Sequence, residues 1–164
     1  MSKLSRRSLL GFGALVGVGG VVGAAPAVAT TPAARVFTWQ GRAMRRLAGR
    51  GTPAVGDVHA VRGELVDPTT GASRGEVFHT AHVVARTGGG HAADVATVEQ
   101  QLFVLPDGTL AGSGTVTLAG RGTFVVTGGT GRYAGARGSY TTEQSADAAG
   151  GGTAEYRFDL STEL

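Results

Sequence analysis

Residues 124–138 read FVVTGGTGRYAGARG, an apolar run that passes into clustered glycines. In a dinucleotide-binding domain such a loop hands a pyrophosphate to the N-terminus of a helix, and GTGRYA at 129–134 fits the pattern G-x-G-x-x-A. The residues that follow do not continue as a helix. ARGSYTTEQ, 136–144, carries Gly138, Tyr140 and paired threonines, which favour a strand. The acid that a ribose hydroxyl needs about 20 residues on falls in ADAAGGGTAE, 146–155. A phosphate loop of the form G-x-x-x-x-G-K-[ST] is excluded as well, because Lys3 is the chain's single lysine. The cluster is therefore read as a tight turn between two strands. Gly128, Gly129 and Gly131 supply backbone angles closed to other residues, and Gly135 and Gly138 allow the next strand to bend or approach a neighbour closely.

Outward from this turn, the chain is a series of short Val-, Thr- and Ala-rich runs punctuated by glycine. Strands are expected at 36–41, 57–66, 75–86, 93–105, 109–118, 121–127, 133–143 and 153–161. Pro106-Asp107-Gly108 marks a tight turn between two of them. In AEYRFDL, Ala154, Tyr156, Phe158 and Leu160 fall on one face and Glu155, Arg157 and Asp159 on the other. The segment RAMRRLAGR, 42–50, is the one stretch that suggests a helical turn. Eight strands at hairpin spacing, with no helices to cover a parallel sheet, predict an all-β fold: an eight-stranded antiparallel β-barrel. A barrel of this size is just wide enough to hold one small ligand.

Not all of the chain belongs to that fold. Lys3, Arg6 and Arg7 precede an uncharged stretch from Ser8 to Ala34 that contains the small-residue cleavage signal AVA at 27–29. This is the layout of an export peptide, and SRRSLLG resembles a twin-arginine signal. Residues 1–29 are expected to be a signal peptide of a bacterial protein secreted in folded form. The alternative is an uncleaved anchor, the one route by which this chain would touch a membrane. Residues 30–164 would form a single barrel domain with its core at about 36–161.

The leader holds three of the 15 cations and none of the 12 acids, so the remainder is neutral. The pI near 9.9 is therefore no sign of nucleic-acid binding. Five arginines between Arg35 and Arg50 form a local patch, either a solvated loop or a contact for an acidic partner. The chain has no cysteine, which removes disulfides, thiol catalysis and cysteine metal sites.

VTGGTGRYAGARGSYT, 126–141, resembles the signature GGTG-x-[FY]-x-x-A-x-G of dirigent proteins and of bacterial allene oxide cyclase-like barrels. VGDVHAVRGELVDPTTGASRG, 55–75, and FVLPDGTLAGSG, 103–114, are similar to the strands and hairpin that precede that signature. The resemblance implies a calycin-like eight-stranded barrel, a homo-oligomer (a trimer in plants) and a greasy interior that confines a small apolar guest. It also implies cyclisation or coupling without a cofactor, a contribution from confinement. The acid that those plant families carry on the first strand is absent from VFTWQG, and their pocket cysteine falls near Ala81. Arg137 matches the arginine of the signature.

From the residues themselves, several side chains are candidates for a site. Val77, His79, Ala81, Val83 and Ala85 share a face, which turns His79 inward and His82 outward and argues against a shared metal. His79 is then a ligand contact, a catalytic base or a satisfied core histidine. Asp57 and His59 share a face as a possible acid–imidazole pair; the alternative is a capping acid beside a surface histidine. Arg137 either meets a ligand or pairs with Glu143 or Glu64, since a buried arginine needs a partner. Tyr133 joins Arg137 on one face of its strand, although alternation leaves the inward face open. Trp39, with Phe37, fills the barrel or touches the guest. No metal site is expected. A packed barrel serving as a structural or interaction module is the alternative function.

Overall fold

The computed structural model describes residues 35–49, 53–88, 94–147 and 152–161. Residues 1–29, expected to be an export leader, lie outside them. Eight strands are present: β1 (Arg35–Ala48), β2 (Val58–Val66), β3 (Ser73–Arg86), β4 (Val95–Leu105), β5 (Gly108–Thr117), β6 (Arg121–Gly131), β7 (Gly138–Ala146) and β8 (Gly152–Leu160). Each pairs antiparallel with its sequence neighbour, and β8 pairs with β1, so the sheet closes into a barrel. No α-helix occurs among the described residues. The expected fold class is the observed one.

Alternation explains how the barrel fills. Along β4, Val95, Thr97, Glu99, Gln101, Phe103 and Leu105 are buried, and every residue between them is not. On β8 the same rhythm buries Ala154, Tyr156, Phe158 and Leu160. On β3 it buries Val77, His79, Ala81 and Val83 and exposes His82, as the sequence predicts. Ala85 drops out because the pairing with β4 shifts register between Val83 and Ala85.

Two local expectations are corrected. Residues 42–48 are not helical: β1 continues through them to Ala48, paired with Arg62, Val61 and Ala60 of β2. Register shifts within this stretch, between Arg42 and Arg45 and between Arg46 and Ala48, with Ala43 at a φ of 50°, bend the strand. Ladder bonds to β2 outweigh the modest helix propensity of the arginines, alanine and leucine. Similarly, β6 runs on through the glycines to Gly131, and the turn comes later, over 132–137. Tyr133, Ala134 and Ala136 donate backbone hydrogen bonds to Thr130, Gly131 and Tyr133 there. Gly131 and Gly135, at φ of 58° and 79°, carry the turn. The strand expected from 133 therefore starts at Gly138.

Aromatic rings pack together in one part of the interior. Phe103 lies 5.1–5.9 Å, centroid to centroid, from Trp39, Tyr140, Tyr156 and Phe158, and Tyr140 stacks on Phe124 and Phe158. Full burial of each such ring contributes about 1.5–3 kcal/mol. Gly112 and Gly114 on β5 make room: a Cβ at the first would overlap the Tyr140 ring, and one at the second the Phe124 ring. Tyr133, held in the β6–β7 turn, packs onto the same cluster. The outer surface carries cross-strand ion pairs, Arg42 with Glu64, Arg62 with Glu76 and Arg121 with Glu143. These are solvent-screened and contribute little to stability.

Candidate functional site: a buried carboxyl, imidazole and phenol

Beyond the aromatic cluster the inward positions turn polar. Thr97, Glu99 and Gln101 follow one another at inward positions of β4, so their side chains form a column. Thr97 Oγ1 lies 3.1 Å from Glu99 Oε1, and the same hydroxyl reaches the Val116 carbonyl at 3.0 Å. Gln101 and, from β7, Gln144 donate amide N–H groups to Glu99 Oε2 at 2.8 and 3.0 Å. Tyr140 donates to Gln101 Oε1 at 3.1 Å. Glu99 is 1% exposed. A carboxyl removed from water at that depth is costly unless its oxygens are satisfied; two amide N–H groups serve Oε2, and Oε1 faces the Thr97 hydroxyl, whose single proton is shared with the Val116 carbonyl.

His79 joins this column from β3. Its Nε2 is 2.7 Å from the Tyr156 hydroxyl and its Nδ1 is 3.7 Å from Glu99 Oε2, the latter too long for a hydrogen bond but close enough for attraction. Burial lowers the imidazole pKa, against the opposing pull of Glu99, so the ring is neutral at pH 7 and carries one proton. The neighbours assign that proton to Nδ1, where it faces the carboxyl oxygen. Nε2 then accepts from Tyr156. Burial, with Glu99 and Tyr140 adding to it, raises the Tyr156 pKa well above the ordinary phenol value, and burial with Glu99 does the same for Tyr140. Both phenols therefore stay protonated. The set can take a proton through Tyr156 onto His79, with Glu99 beside the imidazolium that results; it does not hold a free phenolate.

The structure distributes the predicted site residues unevenly. His79 stands at the centre of the cluster, and Trp39 is buried at its aromatic floor. Tyr133 is buried in the β6–β7 turn, with its pKa raised by burial and by Asp107. Arg137 is exposed in that turn and donates through Nη1 to the Ala136 carbonyl at 2.8 Å; Glu143 and Glu64 pair with Arg121 and Arg42 instead. Asp57 accepts a hydrogen bond from the Ala54 backbone at 2.8 Å, as a capping acid does. The acid–imidazole hydrogen bond to His59 is not made: both ring nitrogens of that buried histidine lack a partner. Among the described residues, no group of three or more metal-ligating side chains converges.

Sequence reasoning missed Glu99, Gln101, Tyr140 and Tyr156 as site residues. The sequence hides the first: on β4 the outward positions Ala96, Val98, Leu102 and Val104 are more apolar than the inward set that holds Thr97, Glu99 and Gln101, so alternation points the glutamate to solvent.

A groove of about 490 Å³ lies outside the barrel. Phe78, Thr80, Gln100, Leu102 and Ser113 line it, all from positions that alternate with the inward ones.

No protein-family model and no curated protein matches the chain. Solved structures do. A pyocyanin demethylase superposes with a TM-score of 0.56 at 20% identity, over 78% of this chain and 99% of that one. A pterocarpan synthase dirigent protein gives 0.61 at 14% identity, over 82% and 99%. The Diels-Alderase AbmU from Streptomyces koyangensis gives 0.53 at 18% identity, over 82% and 71%. At these identities the likeness is one of fold: the closed barrel is shared with dirigent and cyclase-type proteins.

Proposed function

We propose that this barrel of the dirigent and cyclase fold binds a small, largely apolar guest bearing a phenolic or enolic hydroxyl and guides its cyclisation without a cofactor. The observation that carries the reading is the His79–Tyr156 hydrogen bond beside the buried Glu99 carboxyl, inside a barrel floored by aromatic rings. The guest hydroxyl gives its proton to the Tyr156 oxygen as the Tyr156 proton moves to His79 Nε2. The guest oxygen then bonds to an electron-poor carbon of the same molecule. The carbanion so formed recovers the proton along the same path, so the ring closure is an isomerisation. Confinement against Trp39 and Phe103 supplies the orientation, and Glu99 supplies charge stabilisation.

Export from a bacterial cell belongs to this reading and is supported by the basic, apolar and AVA segments of the leader. The alternative, a packed barrel acting as an interaction module, is favoured by the external groove with Leu102 41% exposed at its wall.

Titration with 2-naphthol, read by its own fluorescence, separates these readings. Interior binding is expected to weaken about tenfold or more in Tyr156→Phe and to be indifferent to Leu102→Glu. Loss in Leu102→Glu alone moves the guest to the outer groove. Absence of binding to the wild type removes the guest-binding reading.

A further inference from the structure

Among the described residues, His59 at both ring nitrogens and Thr142 at Oγ1 are the buried side chains whose polar atoms lack a hydrogen-bond partner. His59 is 3% exposed. An imidazole kept from water with neither nitrogen satisfied is costly, and the relay described above does not use it.

The register says where this ring stands. His59 lies directly opposite Ala81, and Ala81 directly opposite Glu99. Directly opposed residues share a face of the sheet, and Ala81 and Glu99 are both buried. His59 and Glu99 therefore flank the Ala81 methyl on one inward row. His79 is two residues along from Ala81, diagonal to His59, with Cα atoms about 7–8 Å apart. Gly49 packs against the Nδ1 side of the His59 ring, where a Cβ would overlap it. Nε2, on the other edge of the ring, is buried without a hydrogen-bond partner. Burial and the nearby Arg46 hold this imidazole neutral against Asp57, so it offers one N–H and one lone pair.

We infer that His59 contacts the guest directly, its Nε2 hydrogen-bonding a second polar group while Tyr156 and His79 hold the first. The inference rests on the guest-binding reading above and narrows it. The guest is a flat ring system with two oxygen functions, spanning the small side chain of Ala81.

The test uses 2-naphthol and its 3-, 6- and 7-hydroxy derivatives on the full chain without its leader. One diol is expected to bind about tenfold more tightly than 2-naphthol. His59→Leu is expected to abolish that gain while leaving 2-naphthol itself unchanged, and His59→Gln, which keeps a donor and an acceptor, to restore part of it. In the wild type, the His59 ring 15N signals are expected to shift with the preferred diol and not with 2-naphthol, a readout that does not depend on a variant folding. If no diol gains over 2-naphthol, or if His59→Leu weakens both alike, the inference is overturned while the guest-binding reading stands. Failure of 2-naphthol and of every diol to bind the wild type removes both.

Discussion

Tyr156 on β8 and His79 on β3 are hydrogen-bonded at 2.7 Å across the barrel interior, although β1 and β2 lie between their strands in the sheet. The bond ties two non-adjacent staves together through their side chains. It also sets the polarity of the cluster, because a neutral imidazole flanked by a carboxyl and a phenol has one consistent arrangement of its single proton.

Removing the phenol oxygen leaves His79 Nε2 buried without a donor. Tyr156→Phe is therefore expected to lose about 1–3 kcal/mol of stability, measured as a lower urea midpoint with an unchanged slope. A variant as stable as the parent would show that the bond contributes nothing net.

Acid should destabilise the fold through His79. The unfolded His79 protonates near pH 6.5, whereas burial holds the folded pKa lower. Below about pH 6.5 the unfolded state thus binds the extra proton first, and stability falls by up to about 1.4 kcal/mol per pH unit for this group until the folded pKa is reached. The stability is present above pH 6.5 and lost on descent. At the other end Tyr140 and Tyr156 are raised, so stability falls as pH climbs past about 10, where the unfolded phenols ionise. Chemical denaturation between pH 4 and 8 checks the acid limb, which His79→Gln should make shallower, the lowered pKa of His59 supplying the remainder.

Gly112 faces the Tyr140 ring with no room for a methyl group. Overpacking of this kind costs about 1–3 kcal/mol, so Gly112→Ala should lower the melting temperature by several degrees. Gly41, where the nearest ring atom of Tyr156 would be 3.1 Å from a new Cβ, should tolerate alanine better. Calorimetry of the two variants compares them directly, and equal midpoints would contradict the packing argument.

The leader predicts its own processing. N-terminal sequencing of the exported protein is expected to begin at Thr30, and replacement of both Arg6 and Arg7 by lysine should retain the precursor inside the cell. Export undiminished by that double change would assign the leader to the general secretory route.

The chain's own pattern was enough to determine the barrel. Alternation in segments such as AEYRFDL, with glycine-marked turns between short strands, leaves few ways to bury eight half-apolar strands, and closure is the one that removes both edges. Alternation on β3 likewise turns His79 inward. It did not locate the turn at 132–137, because glycine permits both a strand and a reversal and only the pairing of β6 with β5 decides between them. Nor did it assemble the site. Glu99, His79 and Tyr156 come from three strands separated by up to 77 residues, and whether a buried polar atom finds a partner depends on distances of a few tenths of an ångström across the barrel. A strand dictates which way a side chain points; the closed sheet alone dictates what it meets there, which is why His79 gained a phenol and His59 was left with two unsatisfied nitrogens.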